Sequence, residues 1–332
     1  MPTIREVSRR AKVSISTVSR VVNGTAPVAE KTRHRVLKAI EELDYTPNVL
    51  ARGLITKRSG GIGVIVNDLT SPFFGSILDG IEAEVEAQGM HMIVASGHAD
   101  AKRESKAIHF LRQRLPDAMI IQVDGTSDPE LLELAAHKIP TIVFGRHITE
   151  LGERCIYLDN EQGGFLATQH LIDCGHSRIG HIAGPLTIAD SRARLQGYRR
   201  ALEGAGTPYN RGWVIEADYL EAGGYRATRH LLERTCDLSA IFCSNDQMAA
   251  GALQALREAG IRVPEDVSII GYDDIPLARY LYPSLTTIRQ PLFEMGRAVA
   301  EIAFKALAGK RAEVRHKFEP ELIERESVQC PE

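Results

Sequence analysis

Apolar positions recur at helical spacing in three short runs over residues 1–60, and from Ile62 onward they gather into brief β-branched runs separated by amphipathic stretches. In the first part, Thr3 followed by Glu6 is a capping-box pattern. It opens a helix with Val7 and Ala11 on its inner face, ending near Lys12. Ser14 then caps a second helix, which Asn23 and Gly24 stop. Two short helices joined by a tight turn make a helix-turn-helix. In the second, Val18, Val21 and Val22 share the inward face, while Ser16, Ser19 and Arg20 share another, with Ile15 at its N-terminal end. A third helix over about 30–43 carries Val36, Leu37, Ile40 and Leu43 as its apolar stripe, and Tyr45-Thr46-Pro47 ends it. The stretch that follows, closed by Gly60-Gly61, is rich in helix formers but too short to hold as an isolated helix in water. That combination predicts a segment that orders on binding.

The body reads as IGVIV, HMIVA, AMIIQ and TIVFG, each followed by a helix. A second series runs RIGHIAG, a segment around Trp213-Val214-Ile215, AIFCS and VSIIGY. Strand–helix alternation of this kind means parallel sheets with helices on both faces, and two series mean two doubly wound lobes. The fold class is α/β with a small all-α head.

Charge sharpens the division. Residues 1–60 hold 12 Lys/Arg against 5 Asp/Glu, a net of +7, whereas the rest of the chain carries −10. A basic head on an acidic body points to a head that meets a polyanion by itself. The hydrophobic fraction of 44% and charged fraction of 25% are ordinary for a globular protein. No apolar run reaches the roughly 18 residues of a membrane span, and no apolar stretch follows the basic N-terminus as in a signal peptide. The five cysteines, at 155, 174, 236, 243 and 330, are odd in number and lack metal-ligand spacing, so they read as reduced packing or surface thiols. His170, His176 and His181 read as helix-end and strand residues, with no metal assigned. Neither a strand–GxGxxG–helix nor a Walker-type loop occurs, and no nucleophile–base pair stands out; the sequence implies no cofactor and no enzyme.

In the head, Arg20 suits a bidentate contact to guanine and Ile15 a thymine methyl, with Ser16 beside them in the major groove. Ser14, Ser19, Asn23 and Thr32 are short hydrogen-bonding residues suited to phosphates, and Thr3 is a further DNA-binding candidate. Each also has a purely structural reading, Ser14 as a cap and Arg20 as a solvated side chain. The stretch TIREVSRRAKVSISTVSRVVNG, followed by Tyr-Thr-Pro-Asn and ARGL, resembles the head and hinge of the lactose-repressor/galactose-repressor family. The resemblance implies a hinge helix that pairs in the minor groove of DNA, with Leu54 as the wedging residue and Ala51 beside it. Two departures stand out: Lys12 occupies a turn position where the family often has glycine, and Ala29 replaces a frequent serine cap.

Ligands of open parallel sheets sit beyond the carboxyl ends of the strands. There the chain places Ser71, Phe73 and Phe74 after the first strand and Arg146 after TIVFG. Arg194 lies in SRARLQGY, Tyr219 beyond the Trp213 segment, Asn245 after AIFCS, Asp273 at VSIIGY and Gln290 in TTIRQP. Aromatic faces with Arg, Asn, Asp and Gln suit a polyhydroxylated ring. Singly, Asn245 also reads as a cap, Asp273 as a turn residue and the arginines as surface residues. The resemblance extends from Thr3 to about Val328, implies a periplasmic-binding-protein-like core, and puts this set on the family's ligand positions. The stretch ERCIYLDNEQGGFLATQHLIDCGHSRIGHIAG is most similar to the galactose-repressor branch. Gly145 stands where many sugar binders carry an acidic or amide side chain.

The expected division is 1–47 for the helix-turn-helix, 48–60 for the hinge, and 61–332 for the effector and dimerisation domain. Within the last, lobe 1 takes about 61–158 and 290–328, and lobe 2 about 159–289. The expected function is a cytoplasmic homodimeric repressor that reads a near-palindromic operator in double-stranded DNA and answers to a small sugar. A purine or sugar phosphate, or action with a corepressor, is the alternative effector reading. A solute-binding protein or a sugar-modifying enzyme are the rival classes, and no membrane partner is expected.

Overall fold

The computed structural model describes residues 2–23, 26–45, 59–234 and 237–330. Contacts divide the chain into two units, Met1–Gly60 and Gly61–Glu332.

The head is a three-helix unit of α1 (Ile4–Ala11), α2 (Ile15–Asn23) and α3 (Glu30–Glu42). The capping box forms: the Thr3 amide donates to Glu6 Oε2 at 2.7 Å. Lys12 ends α1 at φ +51, a left-handed conformation that glycine adopts without strain. Ser14 accepts from the Thr17 amide at 3.1 Å and so opens α2. Val7, Ala11, Val18, Val36 and Ala39 form the core, with Val21, Val22, Ile40 and Leu43 partly buried against it. Leu37 departs from expectation, since it is 49% exposed. The inward stripe of α3 runs 36, 39/40, 43, and residue 37 falls about 100° round the helix from residue 36.

The larger unit holds two six-stranded sheets. The first has the order β11-β5-β4-β3-β1-β2, built from β1 (Gly61–Val66), β2 (His91–Ser96), β3 (Ala118–Ile121), β4 (Thr141–Phe144), β5 (Cys155–Leu158) and β11 (Lys317–Phe318). The second has the order β12-β10-β9-β8-β6-β7, built from β6 (Ile179–Ala183), β7 (Val214–Glu216), β8 (Ala240–Cys243), β9 (Ser268–Asp273), β10 (Thr286–Arg289) and β12 (Glu321–Ile323). Every described strand pair is parallel except β10 with β12. Burial of both faces explains why β1, β3, β4 and β8 read as unbroken apolar runs.

In each lobe the first strand is flanked by the next two, β1 by β2 and β3, and β6 by β7 and β8. The winding direction reverses at that strand, which opens a crevice at its carboxyl end. The helices packed on the sheets include α4 (Pro72–Ala87), α5 (Ala101–Arg112) and α6 (Asp128–Ala135) in the first lobe. In the second they are α7 (Asn160–Asp173), α8 (Ala189–Gly204), α9 (Glu221–Arg234) and α10 (Asp246–Glu258). Helices α7 and α8 approach backbone to backbone: a Cβ on Gly164 would overlap the Arg194 carbonyl, and one on Gly197 the Glu161 carbonyl. That approach holds the start of α8 against the sheet.

The chain crosses between lobes after β5, again after β10, where α11 (Leu292–Leu307) packs on α4, and a third time between β11 and β12. The last crossing corrects the expected assignment of 290–328 to lobe 1. From Glu321 the chain pairs with β10, and Ser327 exchanges hydrogen bonds with Ile269 and Thr286 of the second lobe. Pro320 separates the two short strands.

The expectation of five unpaired thiols is also corrected, because Cys174 is disulfide-bonded to Cys330, 156 residues away. Cys155 and Cys243 are buried and free, and Cys236 lies outside the described residues. Among the described residues, no helix is long and apolar enough to cross a membrane.

Candidate effector cleft and recognition helix

The crevices of the two lobes face one cleft of about 430 Å³. From the first lobe come Asn67 after β1, Phe73 and Phe74 in the first turn of α4, His98 after β2, and Gln122 and Asp124 after β3. The rings of Phe73 and Phe74 meet edge to face with centroids 4.9 Å apart, leaving apolar surface on one wall. Asn67 Nδ2 donates to Asp124, and its amide donates to Gln122 Oε1 at 3.0 Å. Behind them the fully buried Glu104 carboxylate accepts from the amides of Asp124, Gly125 and Thr126 and from the Thr126 hydroxyl. Those four bonds fix the loop that presents Asp124. Burial raises the Asp124 pKa above the usual carboxylate range.

The second lobe contributes a denser set. Arg194 is 4% exposed, and its Nε donates to Asn160 Oδ1 at 2.8 Å while Nη1 donates to the Ser244 carbonyl. Its guanidinium lies 3.7 Å from the Tyr272 ring centre, and Nη1 stands 3.7 Å from Asp273 Oδ1. Gln290 Nε2 donates to the same Asp273 oxygen at 2.6 Å. Asn245 caps α10 by accepting from Met248 at 2.9 Å and donates to the Tyr219 carbonyl at 3.0 Å. Tyr219 and Asp273 both hold positive φ, 65° and 108°, an arrangement that non-glycine residues adopt at the expense of strain. Gly184 lies against the Tyr219 ring, where a Cβ would overlap it. Burial drives the Asp273 pKa upward despite Arg194 and Gln290, which oppose it, and lifts Asp190 to about 7. Burial likewise lifts Tyr219 to about 12, so it stays a neutral donor.

Of the residues expected to hold a ligand, Ser71, Phe73, Phe74, Arg194, Tyr219, Asn245 and Asp273 border the cleft. Ser71 also spans it, its hydroxyl donating to Gln247 Oε1 of the other lobe at 2.9 Å. Gln290 stands behind Asp273 rather than in the lining. Arg146 does not border the cleft: its Nη2 donates to Asp128 and the Thr126 carbonyl, which turn it toward α6. Asn67, His98, Gln122, Asp124, Asp190 and Gln247 border the cleft and were not foreseen.

In the head, Ile15 is 44% exposed and Ser16 and Arg20 are also exposed along α2. The Ser14 hydroxyl bonds those of Ser16 and Thr17, each at 2.8 Å, so a hydroxyl cluster marks the N-terminus of the helix. Thr3 caps α1, Ser19 and Thr32 are half-buried, and Asn23 is the last residue of α2. Ala51 and Leu54 lie outside the described residues.

Residues 3–48 match the family of bacterial regulatory proteins of the lacI type, and residues 168–328 match a periplasmic binding protein-like domain. The regulator GalR of Salmonella typhimurium (strain LT2) is 39% identical over 333 residues, covering all of this chain and 97% of that one. The chain belongs to the LacI family of bacterial regulatory proteins. Its likeness runs to the galactose-repressor branch, and with that membership it is a DNA-binding transcriptional regulator under small-molecule control, not an enzyme. The lac repressor dimer bound to operator and an anti-inducer superposes with a TM-score of 0.89 at 29% identity, covering 99% of both chains. The regulator CelR in complex with cellobiose superposes at 0.73 and 34% identity, covering 98% of this chain and 100% of that one.

Proposed function

We propose that this chain is a cytoplasmic, dimeric repressor of sugar-use genes, released from a near-palindromic operator when a neutral mono- or disaccharide fills the cleft. The observation that carries the reading is the balance of groups on the wall. Asp68, Asp124, Asp190, Asp218 and Asp273 border the cleft together with a single guanidinium, Arg194, and the Phe73–Phe74 surface. Carboxylates and amides accept and donate paired hydrogen bonds to hydroxyls, and the aromatic wall covers C–H faces. Among the described residues, the lining holds one guanidinium and no lysine to offset a phosphate's charge, and Arg194 is already engaged by Asn160 and the Ser244 carbonyl, which sets sugar phosphates aside.

In the head, Arg20, Ile15 and Ser16 read base edges, while Thr3, Ser14, Ser19, Asn23 and Thr32 bind phosphates. Leu54, with Ala51, wedges in the minor groove. Two heads of a dimer address two half-sites. A thousandfold loss of operator affinity requires about 4 kcal/mol of difference between effector affinities for the two states.

A thermal-shift screen of the full chain against neutral sugars, sugar phosphates and purines tests the cleft. A melting temperature that climbs with the concentration of one neutral sugar is the expected result. A response confined to a phosphate or a purine overturns the sugar reading and leaves the regulator in place.

A further inference from the structure

Away from the cleft, at the C-terminal end of α7, three side chains that bind soft metals come together. His170 and Cys174 stand one turn apart on the same helix face, and Cys330 arrives from the end of the chain. His170 Nε2, Cys174 Sγ and Cys330 Sγ all lie within 4.8 Å of one another, and the first two are 3.9 Å apart. Two ligands of a tetrahedral zinc with Zn–S near 2.3 Å and Zn–N near 2.0–2.1 Å stand about 3.6 Å from each other.

The surroundings hold this group in place. Gly175, at φ +83, turns the chain back over the helix end, where the His176 amide donates to the Leu171 carbonyl at 3.0 Å. The His176 ring bonds the Gln329 backbone, and its Nε2 is buried with no hydrogen-bond partner. An imidazole that donates one N–H to a backbone carbonyl has its other nitrogen free as a lone pair, the arrangement that orients metal-binding histidines. The tail is pinned up to its penultimate described residue: Ser327 bonds Ile269 and Thr286, and the Gln329 amide donates to Ser268 Oγ at 3.0 Å. Cys330 is therefore delivered to the site.

The geometry points to a thiolate–imidazole site for a soft divalent cation of the zinc type, made by His170, Cys174 and Cys330 in the reduced chain, with the fourth position left to His176, two residues beyond Cys174, or to water. Disulfide and metal are alternative states of one cysteine pair. A dithiol reductant supplies two electrons and two protons to the bond and becomes a disulfide itself; the two freed thiols lose their protons to the solvent as the metal binds. This departs from the sequence reading, in which His170 and His176 had no metal role. No signal of spacing reveals the site, because Cys330 is 156 residues downstream of Cys174.

The test uses the tag-free full chain, reduced and then freed of reductant without air, and titrated with zinc alone against a competing chromophoric chelator. The site predicts one zinc per chain with affinity in the nanomolar range or tighter, and none in the oxidised chain. Cys330→Ser, at an exposed terminal position that leaves the fold intact by circular dichroism, loses at least about 100-fold in affinity, and Cys174→Ser does the same. His176→Ala loses less. A Cys155→Ser/Cys243→Ser chain keeps full binding. Reduced protein that holds no zinc tighter than micromolar, or a Cys330→Ser chain that binds as well as the parent, overturns the proposal.

Discussion

The two walls of the cleft are built differently. On the second lobe, Arg194, Asp273, Gln290, Asn160 and Tyr272 form a buried, mutually bonded network, and Asp273 within it and Tyr219 beside it sit at positive φ. On the first lobe Asn67, Gln122 and Asp124 are also bonded to one another but lie shallower, and the Phe73–Phe74 pair adds an aromatic surface. A pre-bonded wall fixes the orientation of a ligand before it arrives, whereas an aromatic wall gains its contacts as the lobes close on it. On the proposed function, the second lobe is the template for the sugar and the first is the face that closes on it.

Removing the template has the largest effect. Arg194→Ala leaves Asp273 buried without its cation and destabilises the larger unit by about 3–5 kcal/mol. Denaturant unfolding of that variant measures this directly, and a midpoint equal to the parent's contradicts the template. On the opposite wall, Phe73→Ala weakens sugar binding about tenfold, the loss of roughly 1.4 kcal/mol of apolar contact, while its unfolding midpoint falls less than that of Arg194→Ala because the ring is only half-buried against the core. Calorimetry and unfolding together separate the two walls; equal effects on both readouts in both variants erase the difference.

Asp190 gives the contrast a pH signature. Its folded-state pKa of about 7 lies above the ordinary 3.8, so the folded chain keeps a proton that the unfolded chain releases. Stability from this group is fully present below the ordinary carboxylate range and is lost as pH rises through about 7. Asp190→Asn flattens the fall in melting temperature between those limits. An unchanged slope removes Asp190 as its source. The smallest effect belongs to the single described hydroxyl that bridges the walls. Ser71→Ala deletes its bond to Gln247, worth about 1 kcal/mol, and shifts sugar affinity by up to about fivefold with little change in stability.

The same contrast governs what the sequence discloses. Short β-branched runs between helices announce two parallel sheets, because strands buried on both faces are apolar throughout, and their brevity and β-branched content separate them from the longer amphipathic helices between them. Capping residues announce the head for a related reason: Thr3, Glu6 and Ser14 make their bonds within three residues. Gln122, Asp124 and His98 follow strands just as Ser71 does, so the rule that places ligands at strand ends was sufficient to find them. Arg146 obeys that rule too, but Asp128 and the Thr126 carbonyl draw it away, a matter of packing that no spacing encodes. The crossing of the tail into the second sheet and the meeting of Cys174 with Cys330 are contacts between distant segments, and local pattern carries no trace of them.

The most direct test of the account is operator affinity, measured by titration with and without the sugar found in the thermal screen, for the parent chain and for Asp273→Asn. The account predicts that sugar weakens operator binding by the parent, and that Asp273→Asn binds operator as tightly as the parent whether or not sugar is present. An operator affinity of the parent that ignores a bound sugar, or a variant that still responds in full, would contradict it.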